Sequence, residues 1–164
     1  MSDFLVIGYG NTLRRDDGAG PWVAERVEEL LGAQARCLAV PQLLPELADA
    51  IAQAKWVVFV DARQDSSMVQ MRMLEMGNVN HSSGSHVSDP VALVNLTSTL
   101  NGSQPVIWLV TVPAVDFTHG EGLSSVTHQC AEIAVERIIA TRKSLNAAAP
   151  PECGWPGSAE LSSS

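Results

Sequence analysis

Cysteine is sparse in this chain. Cys37, Cys130 and Cys153 are odd in number, far apart and never paired as Cys-Xaa-Xaa-Cys. That argues against a disulfide framework and against a structural zinc site. Positive charge is also short: 10 Lys and Arg stand against 18 Asp and Glu, a formal net charge of −8. Such a surface repels phosphate, so no nucleic-acid partner is expected, and the charge reads as an ordinary acidic surface. No stretch approaches the roughly 20 apolar residues of a membrane span, so no membrane association is expected. No basic segment followed by an apolar run opens the chain, and the expectation is a cytoplasmic protein.

Several catalytic signatures are missing too. There is no Gly-Xaa-Ser-Xaa-Gly, no His-Glu-Xaa-Xaa-His, and no cysteine beside a histidine in a nucleophile-like context. This removes the nucleophile elbow and the zincin helix, and nothing marks a serine for a Ser/His/Asp triad.

What is present is a 164-residue chain of one domain, 46% hydrophobic and 17% charged. Residues 1–143 read as the domain and 144–164 as a flexible tail rich in Ala, Pro, Gly and Ser. Phe4 to Ile7 is a short apolar run stopped by Gly8 and Gly10, the pattern of a buried strand and a tight turn. Pro21 then fits a first helical turn, and Val23, Val27, Leu30 and Leu31 make an inward stripe that Gly32 ends. Arg36 to Val40 reads as a strand, and Leu43 to Ala54 as a helix striped by Leu44, Leu47, Ala48 and Ile51. Trp56 to Val60 is the strongest buried-strand signal and runs into Asp61. Met68 to Met76 alternates as a strand with one wetter face, and Asn78 to Ser88 is a polar loop. Ser88 or Asp89 can cap a helix with Pro90 in its first turn, running to about Leu100. Val106 to Val112 is a further strand. A last helix spans Ser124 to Arg142, with Val126, Cys130, Ile133 and Ile138 inward. Strands alternating with helices, several apolar on both faces, predict an α/β domain with a mainly parallel sheet covered on both sides.

In such a sheet ligands gather beyond the carboxyl ends of the strands. The first strand ends in GYGNTLRRDDGAG, residues 8–20, and the third in Asp61. A dinucleotide fingerprint would need glycine at position 13, where the chain has Leu13, and no Gly-Lys-Ser/Thr follows to make a P-loop. Asp16 and Asp17 would repel phosphate. Carboxylates suit cations instead, and Asp17 with Asp61 needs one further ligand. His81, His86, His119 and His128 are the candidates. An Asp/Asp/His set with open positions would accept Zn²⁺ or Ni²⁺.

Four ordered motifs carry a resemblance. GYGNTLRRDDGAG, residues 8–20, resembles the opening signature of the hydrogenase maturation proteases, which trim the large subunit of [NiFe] hydrogenases. The run Val57 to Ala62 resembles their strand-terminal Asp-Ala motif, Ser85 to Pro90 their histidine before a helix, and Gly120 to Ser124 their late helix entry. The resemblance spans residues 4–142. It implies a three-layer αβα sandwich around a sheet of about five strands. It also implies an endopeptidase that removes the C-terminal extension of a hydrogenase large-subunit precursor after nickel insertion. Carried over by position, the family's nickel-sensing and catalytic residues are Asp17, Asp61 and His86. No permanent cofactor is expected, since the nickel arrives with the precursor, and a monomer is expected. Two features depart from the family: Asp17 stands where many relatives carry Glu, and Thr111 to Asp116 replaces their Gly-Xaa-Gln/Glu-Pro turn. Gly8, Gly10 and Asn11 are read as exposed backbone donors for the substrate. Asp16 is read as a group behind the ligands or a helix cap. The rival expectations are a non-catalytic assembly factor that binds the nickel-loaded precursor, and a self-sufficient zinc hydrolase.

Overall fold

The strand that opens the fold is apolar at every position because both of its faces are covered. In the computed structural model, which describes residues 2–75 and 89–148, β1 spans Phe4–Tyr9 and is buried from Phe4 to Gly8. Phe4 and Val6 face one core, and Leu5 and Ile7 face another. The same parity holds in β3 (Trp56–Arg63) and β5 (Val106–Pro113). There Val58, Val60, Val110 and Val112 join Phe4, while Val57, Phe59, Ile107 and Leu109 join Leu5. Period-two alternation thus sorts each strand's side chains into two layers.

The helices divide between those layers. Val23, Val27 and Leu31 of α1 (Ala19–Leu31) and Ala131, Ala134, Val135 and Ile138 of α4 (Ser125–Ala148) pack on the first face. Ile51 of α2 (Ala48–Ala52) and Leu93 and Val94 of α3 (Pro90–Asn101) pack on the second. With β2 (Arg36–Val40) and β4 (Gln70–Leu74), the strand order is β2-β1-β3-β5-β4. All neighbours are parallel except β4, which runs antiparallel to β5. The α/β sandwich and mainly parallel five-stranded sheet agree with the expectation.

The chain steps from β1 outward to β2, then back past β1 to β3. The order therefore reverses between β1 and β3, and a crevice opens beyond their carboxyl ends. The register aligns Gly8 with Val60, so Tyr9 and Asp61 follow as neighbours on one face.

Some expectations change. Pro45 has no N–H and is tolerated only in a first helical turn, so no helix runs from Leu43. A 3₁₀ turn over Pro45–Leu47 leads instead into the short α2, leaving Leu44 exposed and Leu43 buried. Leu30, Val126 and Ile133 are about half exposed rather than inward. The buried stripe of α4 is Thr127, Ala131, Ala134, Val135 and Ile138, a helical spacing built largely from small residues. Small side chains let α4 lie close to α1 and β5. The helix also continues past Ser144 to Ala148. The expected loop with His81 and His86, and the chain from 149 onward, lie outside the described residues.

The opening glycines hold α1 against the strand ends. A Cβ on Gly20 would fall 2.5 Å from the Tyr9 carbonyl oxygen and 2.6 Å from that of Val60. A Cβ on Gly8 would come within 1.9 Å of the Gly20 oxygen. Because the obstacles are backbone on both sides, Gly20→Ala is expected to cost about 3 kcal/mol or more, read as a lower urea midpoint.

Candidate active site

The loop from β1 to α1 is shaped by Asp16 and Asp17, which do different work. Residues Arg15–Gly18 form a 3₁₀ turn. Asp17 lies at its outer side, partly exposed, and its Oδ2 accepts a hydrogen bond from the Asn11 amide at 2.8 Å. The Gly10 amide donates to the Val40 carbonyl at 3.1 Å. Gly8 lies inside the sheet ladder, paired with both Ala39 and Val60. The amides of Gly10 and Asn11, expected as free donors, are therefore engaged within the protein, where they fix the turn that carries Asp17.

Asp16 points the other way and is fully buried. Its Oδ2 accepts from the Val115 and Asp116 amides, both at 2.9 Å, and lies 2.8 Å from the Ser124 and Thr127 hydroxyls. Its Oδ1 accepts from the Ser124 amide at 2.7 Å. Backbone bonds parallel the clamp: Arg15 N–H to the Gly120 carbonyl, Asp16 N–H to that of Asp116, and Gly120 N–H to that of Leu13. Burial by itself would raise the Asp16 pKa, but the donors from Ser124, Val115 and Asp116 outweigh it and hold the carboxyl below its ordinary value. Asp16 is thus more than a helix cap. It ties the β1–α1 loop to the β5–α4 loop and so sets where Asp17 stands.

Asp61 stands near the end of β3, partly buried, on the same face as Tyr9 and Arg63. Burial pushes its pKa up to about 6. Arg63 and the Tyr9 hydroxyl oppose that rise, and the negative charge of Asp17 adds to it. The Asp17 charge is thus felt at Asp61. The Tyr9 hydroxyl is held well above its ordinary pKa, first by burial and then by the Asp61 charge. Arg63 is itself gripped by Asp65 through two hydrogen bonds of 2.9 and 3.0 Å. Tyr9, Asp61, Arg63, Arg72 and Asp89 line a cavity of ≈ 300 Å³.

The fold is the one found in [NiFe] hydrogenase maturation proteases. A maturation protease HycI from Thermococcus kodakarensis KOD1 superposes with a TM-score of 0.69 at 23% identity, covering 85% of this chain and 92% of its own. The hydrogenase maturating endopeptidase HybD from E. coli gives 0.69 at 20%, covering 88% and 93%. A hydrogenase 2 maturation peptidase from a Thaumarchaeota archaeon gives 0.61 at 19%, covering 84% and 96%. At these identities the likeness is one of fold. No family model and no curated protein matches the chain.

The other candidate ligands lie elsewhere or outside the description. His119 is exposed in the β5–α4 loop. His128 is exposed on α4, edge-on to Trp22 with ring centroids 5.0 Å apart, and lines a separate cavity of ≈ 330 Å³. Among the described residues no three His, Cys, Asp or Glu side chains gather in a way that could hold a metal. Tyr9 and Arg63 went unnoticed in the sequence. The signal for both was parity, since Arg63 lies two residues beyond Asp61 on the same face of β3 and Tyr9 follows opposite Asp61 in the register.

Proposed function

We propose that this chain is an endopeptidase that removes the C-terminal extension of a [NiFe] hydrogenase large-subunit precursor. The reading rests on one observation: Asp17, in the turn after β1, and Asp61, near the end of β3, both stand at the carboxyl ends of neighbouring strands in a fold shared with HycI and HybD. Asp17, Asp61 and His86 are the proposed contacts to nickel carried by the precursor, with His86 assigned by the sequence resemblance. A site that completes the coordination of a metal carried by its substrate gives the selectivity this reaction needs. It engages only when the substrate brings the cation, and that contact positions the scissile bond. A cation so placed would polarise the scissile carbonyl or a water. On this reading the protein keeps no resident metal and works as a soluble cytoplasmic monomer.

The test is to incubate the purified protein with nickel-loaded and nickel-free precursors and follow the large subunit on a gel. Shortening of the nickel-loaded form alone is expected. Binding without shortening would favour a non-catalytic assembly factor, and stoichiometric zinc in the purified protein would favour a self-sufficient hydrolase. His86→Ala is expected to lower cleavage at least tenfold while leaving the melting temperature within a few degrees. Full activity in that variant would remove His86 from the site.

A further inference from the structure

The sheet face that carries Asp61 is open toward β4. Gln70 and Arg72 of that edge strand are exposed on this face, and Leu74 is only partly covered. The ≈ 300 Å³ cavity at Asp61 shares Arg63, Arg72 and Leu109 with a second of ≈ 230 Å³ that reaches Ser66, Gln70 and Thr111. The two are lobes of one trough running from Tyr9 and Asp61 along β5. A trough with a strand as its floor suits an extended polypeptide.

Its charge is the informative part. Among the described residues, the Lys and Arg ion pairs are Arg15–Asp116, Arg26–Glu29, Lys55–Asp3 and Arg63–Asp65. Arg72 lines both lobes and belongs to none of them. The acids nearby have other tasks. Asp65 holds Arg63 in a fork, and Asp89 accepts from the Val91 amide at the start of α3. Outside the described residues, 76–88 include no Asp or Glu, and 149–164 include Glu152 and Glu160. In a chain with 18 acids and 10 bases, a guanidinium that has no carboxylate partner among the described residues and lines the same cavity as Asp61 offers an anion a binding group. We infer that the trough takes an extended segment of the substrate polypeptide and that Arg72 binds a carboxylate side chain on that segment. The inference rests on the peptidase reading above and names a specificity determinant for it. The plain alternative is that Arg72 only guards an edge strand against pairing.

Two experiments separate these. In the first, the full chain carries ¹⁵N-arginine and is titrated with the blocked peptide acetyl-Ala-Val-Glu-Val-Ala-amide and its Gln twin. The Arg72 Nε–H resonance is expected to shift with the Glu peptide alone, less so at high salt. Equal shifts with both peptides, or none, would overturn the inference. In the second, Arg72→Gln is expected to lower kcat/KM for the precursor about tenfold, mostly through KM, with Arg72→Lys in between. Changing one precursor acid to its amide should cost the wild type the same factor and cost Arg72→Gln nothing. Wild-type kcat/KM in Arg72→Gln would overturn the inference. If the wild type itself cuts no precursor, the peptidase reading fails, and the peptide titration still decides the role of Arg72.

Discussion

Asp16→Ala is expected to lower stability by about 4 kcal/mol and to abolish cleavage by displacing its neighbour Asp17. The carboxylate is fully buried and satisfies three backbone amides, from Val115, Asp116 and Ser124, as well as two hydroxyls. Alanine leaves those donors unpaired in the interior, and unpaired buried donors cost far more than a single net hydrogen bond is worth. Asp16→Asn keeps the shape but turns one end into a donor facing donors, so it should lose less than alanine and still several-fold more than a surface change. The pH dependence gives an independent check. The folded-state pKa of Asp16 lies below its ordinary 3.8, so the ionised form is favoured by folding. Its stabilisation is fully present above that ordinary value and is lost as pH falls through the lowered one. Urea midpoints of the wild type should therefore drop on acidification below about pH 4, and those of Asp16→Asn should drop less. Equal midpoints for wild type and Asp16→Ala at neutral pH would show that the clamp contributes nothing.

The strands were legible because their chemistry is local. Trp56 to Val60 is apolar at every position, and a strand buried on both faces needs that. Asp61 stood out because a buried strand seldom ends in a carboxylate for packing reasons. The fit weakened where large side chains drew the eye. In α4 the sequence points to Val126 and Ile133, yet the buried stripe uses Thr127, Ala131 and Ala134, because close helix approach rewards small residues and leaves large ones outside. The Asp16 clamp was invisible for another reason. Its partners Ser124 and Thr127 lie 108 and 111 residues away, and no local pattern announces a contact of that span. The engaged amide of Gly10 belongs to the same class, since its acceptor is the carbonyl of Val40 on another strand.

Asp61→Asn is expected to leave a folded protein whose cleavage of the nickel-loaded precursor falls about a thousandfold in kcat/KM. The amide keeps the size and the hydrogen-bonding reach of the side chain, so packing at the end of β3 survives. What is removed is the negative charge that faces the crevice beside Asp17. Stability should move the opposite way. Burial, opposed by Arg63 and Tyr9 and reinforced by Asp17, raises the Asp61 pKa from 3.8 to about 6. The folded state therefore holds that proton more tightly than the unfolded chain does. Stability falls as pH rises through this interval, by about 3 kcal/mol when the full interval is counted at 1.36 kcal/mol per unit. Below pH 4 the wild type and Asp61→Asn should melt alike, and by pH 8 the variant should be the more stable of the two. Cleavage should show the same ionisation with the opposite sense: a cation needs the carboxylate form, so kcat/KM of the wild type should rise as pH passes about 6. A variant that melts later and cuts almost nothing means that Asp61 is kept at a cost to the fold for the sake of the reaction. Wild-type cleavage by Asp61→Asn would remove that role, whatever its melting curve.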